Sequence, residues 1–456
     1  MRLIRTGAYP FWAYGFVGAL VGATTIVDWR LGLLAFGVVV LGLLLALDFS
    51  ALFLLFLLTI FVDRSPVSVH GTYVRLYMLL AAVLVARWLP SRSRIRWHPV
   101  LTVILLWWLT YFLAIIRAPS LIDFWKVVGG EAFLVTVAVF VVSYLSTQTE
   151  YYRRRAISFV VYGGLIVVAS GYLQLAGAPL FHLSVQQVSG FVRPFGLMRE
   201  ADWYGTVCAY TGLLLTWVLL FARIDIVSAR VAWWGLVAST LGNGLSLSRA
   251  SWLAFGVGLL VLLAARHRQR PLMNYSVVGI LTVVGSVLLL SGLAVALMSP
   301  ATVHEIWVRI NPATVLTANA NAGYSHVYAI DLMIYLIRAH PLTGWGAGAM
   351  AVFSQNRGFD LMFAGGGQIN SGSGSANVLL NQWVESGAIG LALLLAWIVM
   401  LFKMKVSRDG WVFKVVLGAL LVNFLFSNGI DFGFVWVTVA LILSHGVAPV
   451  SRVEKG

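Results

Sequence analysis

Apolar runs long enough to cross a bilayer follow one another along almost the whole chain, and nothing constrains the fold more. A helix needs about 20 mostly apolar residues to traverse a ~30 Å hydrocarbon core. Such runs fall at 11–27, 31–47, 50–62, 72–89, 99–116, 130–147, 155–175, 203–222, 231–245, 250–265, 274–298, 384–403, 411–427 and 430–447. The third is short, and the ninth and tenth are nearly fused. The expectation is an all-α polytopic membrane protein with about 14 spans, or about 12 if the short and fused runs do not each cross. Composition agrees: of 456 residues 60% are hydrophobic and 10% charged, too little charge to cover a soluble globule. Met1 to Val27 carries basic residues and then an apolar run, has no small-residue cleavage site and is followed by more spans, so it reads as an uncleaved first helix.

Lys and Arg orient such a chain, because they stay on the cytoplasmic side of span ends. With the N-terminus inside, about 20 of the 31 basic residues fall in cytoplasmic segments, among them Arg87, Arg96, Arg153 to Arg155, Arg223, Arg266, Lys403 and Lys414. The alternation predicts cytoplasmic termini and an external segment 299–385. The chain then divides into spans 1–11 (1–298), an external catalytic loop (299–385), and spans 12–14 with a cytoplasmic tail (386–456). The net charge of +15 is a topology signal, scattered over short loops; it does not indicate nucleic acid. Short cytoplasmic connections and the lack of a GxxxxGK[ST] loop exclude a cytosolic ATPase or nucleotide-sugar domain. The single cysteine, Cys208, lies in an apolar run and reads as a small buried hydrophobe.

Residues 299–385 lie between two apolar stretches free of charge, Ser276 to Met298 and Ser386 to Phe402. A connection this long means function or disorder, and the patterning says function. From Tyr324 to Ala339, Ile330, Met333, Ile334 and Ile337 recur at i, i+3, i+4 and i+7, opposite Asp331, Tyr335 and Arg338, which predicts an amphipathic helix at the membrane surface. His340-Pro341 stops it, and Thr343-Gly344-Trp345-Gly346-Ala347-Gly348 supplies turns that glycine tolerates best. Gly365 to Ser375 reads as a flexible gate into another helix, on which Asn377, Asn381 and Glu385 form one polar stripe.

Four features lie outside that segment. Arg75, near the outer end of the fourth run, reads as a snorkelling arginine or a functional one. The connection Arg117 to Glu131 carries Asp123 and Lys126 three apart, a surface pair on a short helix. Arg193 and Arg199, beside glycines at the outer surface, suit an anionic oxygen cluster, because guanidinium forks bond such oxygens in pairs; the alternative is an internal network with Glu200 and Asp202. Glu200 and Asp202 alone make a poor metal site. Gly242-Asn-Gly-Leu-Ser246-Leu-Ser248-Arg249-Ala-Ser251-Trp252 is a polar knot between apolar runs, and an arginine at membrane depth is costly and functional by default. Its structural alternative is pairing with Asp431 or with serine hydroxyls.

These pieces, in this order, resemble the O-antigen ligase and O-antigen polymerase family of bacterial membrane glycosyltransferases. The matching stretches are Arg193-Pro-x-Gly196 with Asp202, Ser246-x-Ser248-Arg249-x-x-Trp252-Leu253, His340-Pro341-Leu-x-Gly344-x-Gly346, and Asn377-x-x-Leu380-x-x-x-x-Glu385-x-Gly387-x-x-Gly390-Leu391. They span about 190–395; the earlier spans match as hydropathy only. The resemblance implies a multi-pass enzyme of the bacterial cytoplasmic membrane whose donor is a glycan on undecaprenyl diphosphate, with transfer that inverts and needs no metal or other cofactor. Arg193 and Arg249 match the family's arginine positions and would hold the diphosphate; Arg199 and Arg338 join them by location.

One position departs from the family pattern. Ligases carry a histidine just before the position of Asn377, and this chain has Ala376. Transfer to a sugar hydroxyl needs a proton acceptor. The available groups are Glu385, His340 and His326, with Asn377 and Asn381 lining the acceptor side. A polymerase joining lipid-linked repeat units of a surface polysaccharide is the first reading. The alternatives are a ligase moving finished glycan to a lipid or protein acceptor, or, in another class, a transporter of lipid-linked oligosaccharide, although no internal repeat of spans is visible.

Overall fold

A computed structural model describes residues 44–64, 72–91, 95–181, 191–268, 277–286, 326–354 and 377–446, together with residue 42 and the short stretches 68–69 and 186–188. The expected spans 11–27 and 31–47, most of 274–298, the gate at Gly365 to Ser375, Ala376 and the tail lie wholly or largely outside these residues.

The described chain is helical apart from two short hairpins. Its elements are α1 (Phe49–Thr59), hairpin β1–β2 (Ser68–Val69, Thr72–Tyr73), α2 (Leu76–Trp88), α3 (Pro99–Leu109) continuing as a 3-10 segment (Thr110–Arg117), α4 (Leu121–Ser146) and α5 (Glu150–Phe181). Hairpin β3–β4 (Gln186–Val188, Phe191–Arg193) follows, then α6 (Ala201–Leu220), α7 (Ala229–Leu245), α8 (Arg249–His267) and α9 (Val277–Ser286). The last elements are α10 (His326–Ala339), α11 (Ala349–Phe353), α12 (Val378–Lys403), α13 (Arg408–Phe424) and α14 (Gly433–Gly446).

Among the described residues, six helical segments are long and apolar enough to cross a membrane: Pro99–Arg117, Leu121–Ser146, Glu150–Gly177, Ala201–Leu220, Arg249–His267 and Val378–Lys403. The protein is an all-α membrane protein. Each of these segments falls on an apolar run of the sequence, and one boundary needs correction. The charged stretch before the sixth run is not a connection: α4 starts at Leu121, capped by the Ser120 hydroxyl, which accepts from the Asp123 amide. Asp123 and Lys126 pair at 3.1 Å on its first turns, so the charges that interrupted the apolar pattern belong to the helix itself.

α6 is the axis of the bundle. Every residue from Tyr204 to Leu220 is buried, and α5, α7, α8 and α13 pack around it. α14 is a second interior helix, buried along its length and packed on α4 and α13. At 14 residues it is about 21 Å long, short of the hydrocarbon core, and burial on all sides spares it lipid contact. Trp107, Trp397 and Trp436 meet at centroid distances of 6.2–6.3 Å and join α3, α12 and α14.

Candidate functional site

The site is built around a break in α12. Asn377 caps this helix, its side-chain oxygen accepting from the amides of Leu379 and Leu380 at 2.9 and 3.0 Å. The helix runs past the expected end of the external loop at 385 and is interrupted at Gly387, whose φ of +69° lies in the left-handed region. A break strands backbone groups on either side, and buried stranded groups are expensive. Here the glycine-rich turn satisfies them. Trp345 and Gly346 donate to the Val384 and Glu385 carbonyls at 2.8 and 2.9 Å, and Ala388 donates to the Pro341 carbonyl at 2.9 Å. The Trp383 indole also donates to Pro341, at 2.8 Å.

This backbone-to-backbone approach leaves no room for side chains. A Cβ on Gly344 would stand 2.6 Å from the Val384 oxygen, and one on Gly387 would overlap the Leu342 carbonyl. Gly344, Gly346 and Gly348 all have positive φ, as the sequence predicts for that turn. The His340–Gly348 and Glu385–Gly390 stretches are therefore two halves of one unit.

Inside this unit lies the Glu385 carboxyl. Its Oε1 accepts from the Gly348 amide at 3.1 Å, Asn381 hydrogen-bonds the same carboxyl, and the side chain is buried. The predicted stripe is real and splits by role: Asn377 caps the helix and donates from Nδ2 to the Leu425 carbonyl at 2.9 Å, while Asn381 and Glu385 face the interior. The charges that reach Glu385 come from Asp431, in the turn before α14. Glu131 on α4 feels both acids. The Tyr111 hydroxyl lies 2.9 Å from Glu131 Oε1 and 3.1 Å from Gln382 Oε1.

The arginines sit on the α6–α8 side. Arg193 is buried; its Nε donates to the Ser246 carbonyl at 2.6 Å and its terminal nitrogen pairs with Asp202 at 2.7 Å. It thus joins hairpin β3–β4 to the start of α6 and to the polar knot between α7 and α8, and the internal network weighed from sequence is present. Arg249 differs. It is exposed at the first position of α8, where Ser248 gives no side-chain cap. Among the described residues it makes no hydrogen bond or ion pair, and Asp202, not Asp431, is the acid whose field reaches it. Leu247, two residues earlier, has a φ of +51°, a costly conformation for a branched side chain and one that concentrates at functional sites. Burial and neighbouring Asp202 push the Glu200 carboxyl up from its ordinary range, against the attraction of Arg199 and Arg193.

The segment from Asn423 to Phe434 connects the two sides. Asn423 on α13 donates to Thr206 of α6 at 3.1 Å, while Leu425 receives the Asn377 amide of α12. Phe432 packs on Trp203 at 4.4 Å and takes the Arg75 guanidinium at 5.2 Å over its ring. Arg75 is held further by an ion pair with Asp63 and by the Asp431 carbonyl at 3.4 Å. It is a fastening between α1, α2 and α14, and not a snorkelling side chain.

The remaining expected residues fall nearby. His340 packs its ring against Trp345, with centroids 4.4 Å apart. Arg338 is exposed in the last turn of α10 and Arg199 is exposed before α6. His326 opens α10. That helix buries Leu332, Met333, Leu336 and Ile337, so its apolar face is turned by about one residue from the expected one: Ile334 is exposed and Leu332 and Leu336 take its place. Among the described residues no group of three or more His, Cys, Asp or Glu is placed to hold a metal ion.

Sequence reasoning missed Glu131, Tyr111 and Gln382. The signal for Glu131 was available, a carboxylate at the edge of an uninterrupted apolar run, where ionisable groups are costly and functional by default. No protein-family model matches the chain, and no curated protein matches it.

Proposed function

We propose that this chain is a membrane glycosyltransferase that takes glycan from an undecaprenyl-diphosphate-linked donor, and that it acts as a polymerase on a second lipid-linked repeat unit. The observation that carries the reading is Arg249: exposed, without a partner among the described residues, at the uncapped start of a 19-residue helix, on the same end of the bundle as the buried Glu385. An uncapped helix start offers free amides and a favourable dipole to anionic oxygens, and a guanidinium beside it can bond two of them. A departing diphosphate gains charge as the glycosidic bond breaks, so fixed donors at that position lower the barrier. Arg193, already committed to Ser246 and Asp202, positions this site.

Glu385 is the group proposed to accept the proton of the attacking hydroxyl, with His340 and His326 as the other candidates. Two features support grouping these residues. The Arg193 and Ser246–Arg249 stretches are hydrogen-bonded to each other, and the His340–Gly348 and Glu385–Gly387 stretches are hydrogen-bonded to each other. The motifs that carry the family resemblance thus pair off in space. The proposed arrangement in the membrane has about 14 spans, cytoplasmic termini and an external 299–385 segment in the bacterial cytoplasmic membrane.

The decisive experiment is Arg249→Ala and Arg249→Lys in a host that makes the polymer. Both variants should accumulate to normal levels with unchanged thermal stability, while transfer falls about 100-fold or more. Accumulation of single lipid-linked repeat units identifies a polymerase; full-length glycan left on the carrier identifies a ligase. Normal polymer length from both variants removes Arg249 from the site. A cysteine placed at exposed Tyr335 should react with an impermeant thiol reagent in intact cells, and protection there overturns the orientation.

A further inference from the structure

Glu131 is the most deeply buried carboxyl facing this region, 3% exposed on α4, and the proposed transfer does not use it. Its hydrogen bonds can be counted. Oε1 lies 2.9 Å from the Tyr111 hydroxyl, which lies 3.1 Å from Gln382 Oε1. The Gln382 amide nitrogen donates to the Ser386 hydroxyl, which donates to the Gln382 backbone carbonyl at 2.8 Å. Glu131 Oε2 has no partner among the described residues.

A tyrosine hydroxyl has one hydrogen and here faces two acceptors. If Glu131 is ionised, Tyr111 must donate to it, and the tyrosine oxygen then faces the Gln382 oxygen with no hydrogen between them. If Glu131 carries a proton, it donates to Tyr111, Tyr111 donates to Gln382, Gln382 to Ser386 and Ser386 to the backbone. Every hydrogen then has a place, and the bare Oε2 belongs to a neutral group, which is far cheaper to bury than a bare charged oxygen. The surroundings agree. The charged or titratable groups that face Glu131 are Tyr111 from the 3-10 segment, Glu385 from α12 and Asp431 from the turn before α14. On its own helix, Asp123 lies about two turns and Lys126 about one and a half turns before it, and the two pair with each other. Arg75, the cation whose field reaches Asp431, is committed to Asp63.

We propose that Glu131 is a proton-binding site inside the bundle, and that its occupancy sets the direction of the hydrogen-bond chain through Tyr111, Gln382 and Ser386. Loss of the proton has a defined consequence. Tyr111 must turn its hydrogen to Glu131, the Gln382 amide must turn over so that its nitrogen donates to Tyr111, and the Ser386 hydrogen must leave the backbone carbonyl for the amide oxygen. Ser386 immediately precedes the break at Gly387. A proton on α4 is thereby read out one residue from the point where α12 is interrupted. The inference rests on these contacts and not on the transferase reading; either can fail alone.

The test is infrared spectroscopy of the full-length protein in lipid nanodiscs at neutral pH. Wild type should show the carbonyl stretch of a protonated carboxylic acid that shifts in heavy water. Glu131→Gln should abolish it, whereas Glu385→Gln and Asp431→Asn should keep it. Tyr111→Phe, which removes the acceptor of the acid's hydrogen, should shift the band, and this arm decides the matter if Glu131→Gln does not fold. With isotope-labelled glutamine, raising the pH until the acid band vanishes should shift one side-chain amide carbonyl, a shift absent from Gln382→Leu. No acid band sensitive to Glu131→Gln, or an unshifted band in Tyr111→Phe, overturns the site; an amide carbonyl indifferent to the titration overturns the switch.

Discussion

The two ends of this bundle differ in how completely their charges are matched. At the end where α5 and α13 begin, cations and anions are matched. Arg154 reaches Glu150 at 3.1 Å, Asp225 at 3.0 Å and Asp409 at 3.8 Å, and Arg223 grips Asp409 with two bonds of 2.5 and 2.8 Å while also holding Asp225. At the end where α8 and α12 begin, Arg75 pairs with Asp63 and Arg193 with Asp202, but Glu385 and Asp431 make no ion pair among the described residues, and Arg249 makes none either. Matched charge closes a structure, because a buried anion is tolerable only with its partner in place. Charge kept apart at cost, beside a broken helix, is how sites that act on other molecules are built.

The sharpest way to break this contrast is at the backbone. The unmatched end is held together by the pairing of the glycine turn with the α12 break, so Gly387→Ala should be the most damaging single change. A methyl there meets the Leu342 carbonyl in a conformation reserved for glycine, and the expected loss exceeds about 3 kcal/mol. Gly256→Ala on α8 is the control: nothing lies within 4 Å of a Cβ there, and a gain of about 0.5–1 kcal/mol is expected from helix propensity. Thermal unfolding in detergent compares them, and equal melting curves would show that the break bears no load.

Next in size is the matched end. Arg223→Ala leaves Asp409, only 5% exposed, with Arg154 at 3.8 Å as its remaining partner. The expected cost is about 2–3 kcal/mol, less than for a pair stripped completely, with unchanged transfer per folded molecule. Arg249→Ala should do the reverse, costing under about 0.5 kcal/mol while removing activity. Activity loss without instability in Arg223→Ala would dissolve the distinction between the ends. Arg193→Lys falls between: lysine cannot serve the Ser246 carbonyl and Asp202 with the same planar geometry, so a loss of about 1 kcal/mol is expected together with reduced transfer.

The matched end could be read from sequence more readily than the other. Apolar runs located the helices, and among the basic residues that flank them Arg153, Arg154 and Arg223 are found in ion pairs, because both follow from side-chain chemistry one residue at a time. The unmatched end depends on tertiary backbone contacts. Gly387 inside an apolar helical pattern reads as a tolerated glycine, since nothing local says that a turn 40 residues earlier will supply its missing hydrogen bonds. Glu131 was hidden because Asp123 and Lys126 made its surroundings look like a surface connection, whereas the helix begins before them. The polar stripe Asn377, Asn381, Glu385 was legible because helical periodicity alone aligns it.

The smallest expected effect sharpens the comparison through pH. Glu200 sits among the unmatched charges, outside the membrane-crossing helices, and its carboxyl is pushed up from the ordinary range by burial and by Asp202. A carboxyl whose folded-state value lies above its unfolded value favours folding while it is protonated. Its contribution is present in full below the ordinary glutamate range and is lost as pH rises through the folded-state value. Wild type should therefore lose a little stability across that window, and Glu200→Gln, which keeps the neutral shape, should not. The two proteins should melt together in acid, with the variant ahead at neutral pH by less than about 1 kcal/mol, since Glu200 is only half-buried and solvent screens its neighbours. A difference that does not change with pH, or that favours wild type as pH rises, would mean that Arg199 and Arg193 already balance Glu200, and that this part of the site end is matched after all.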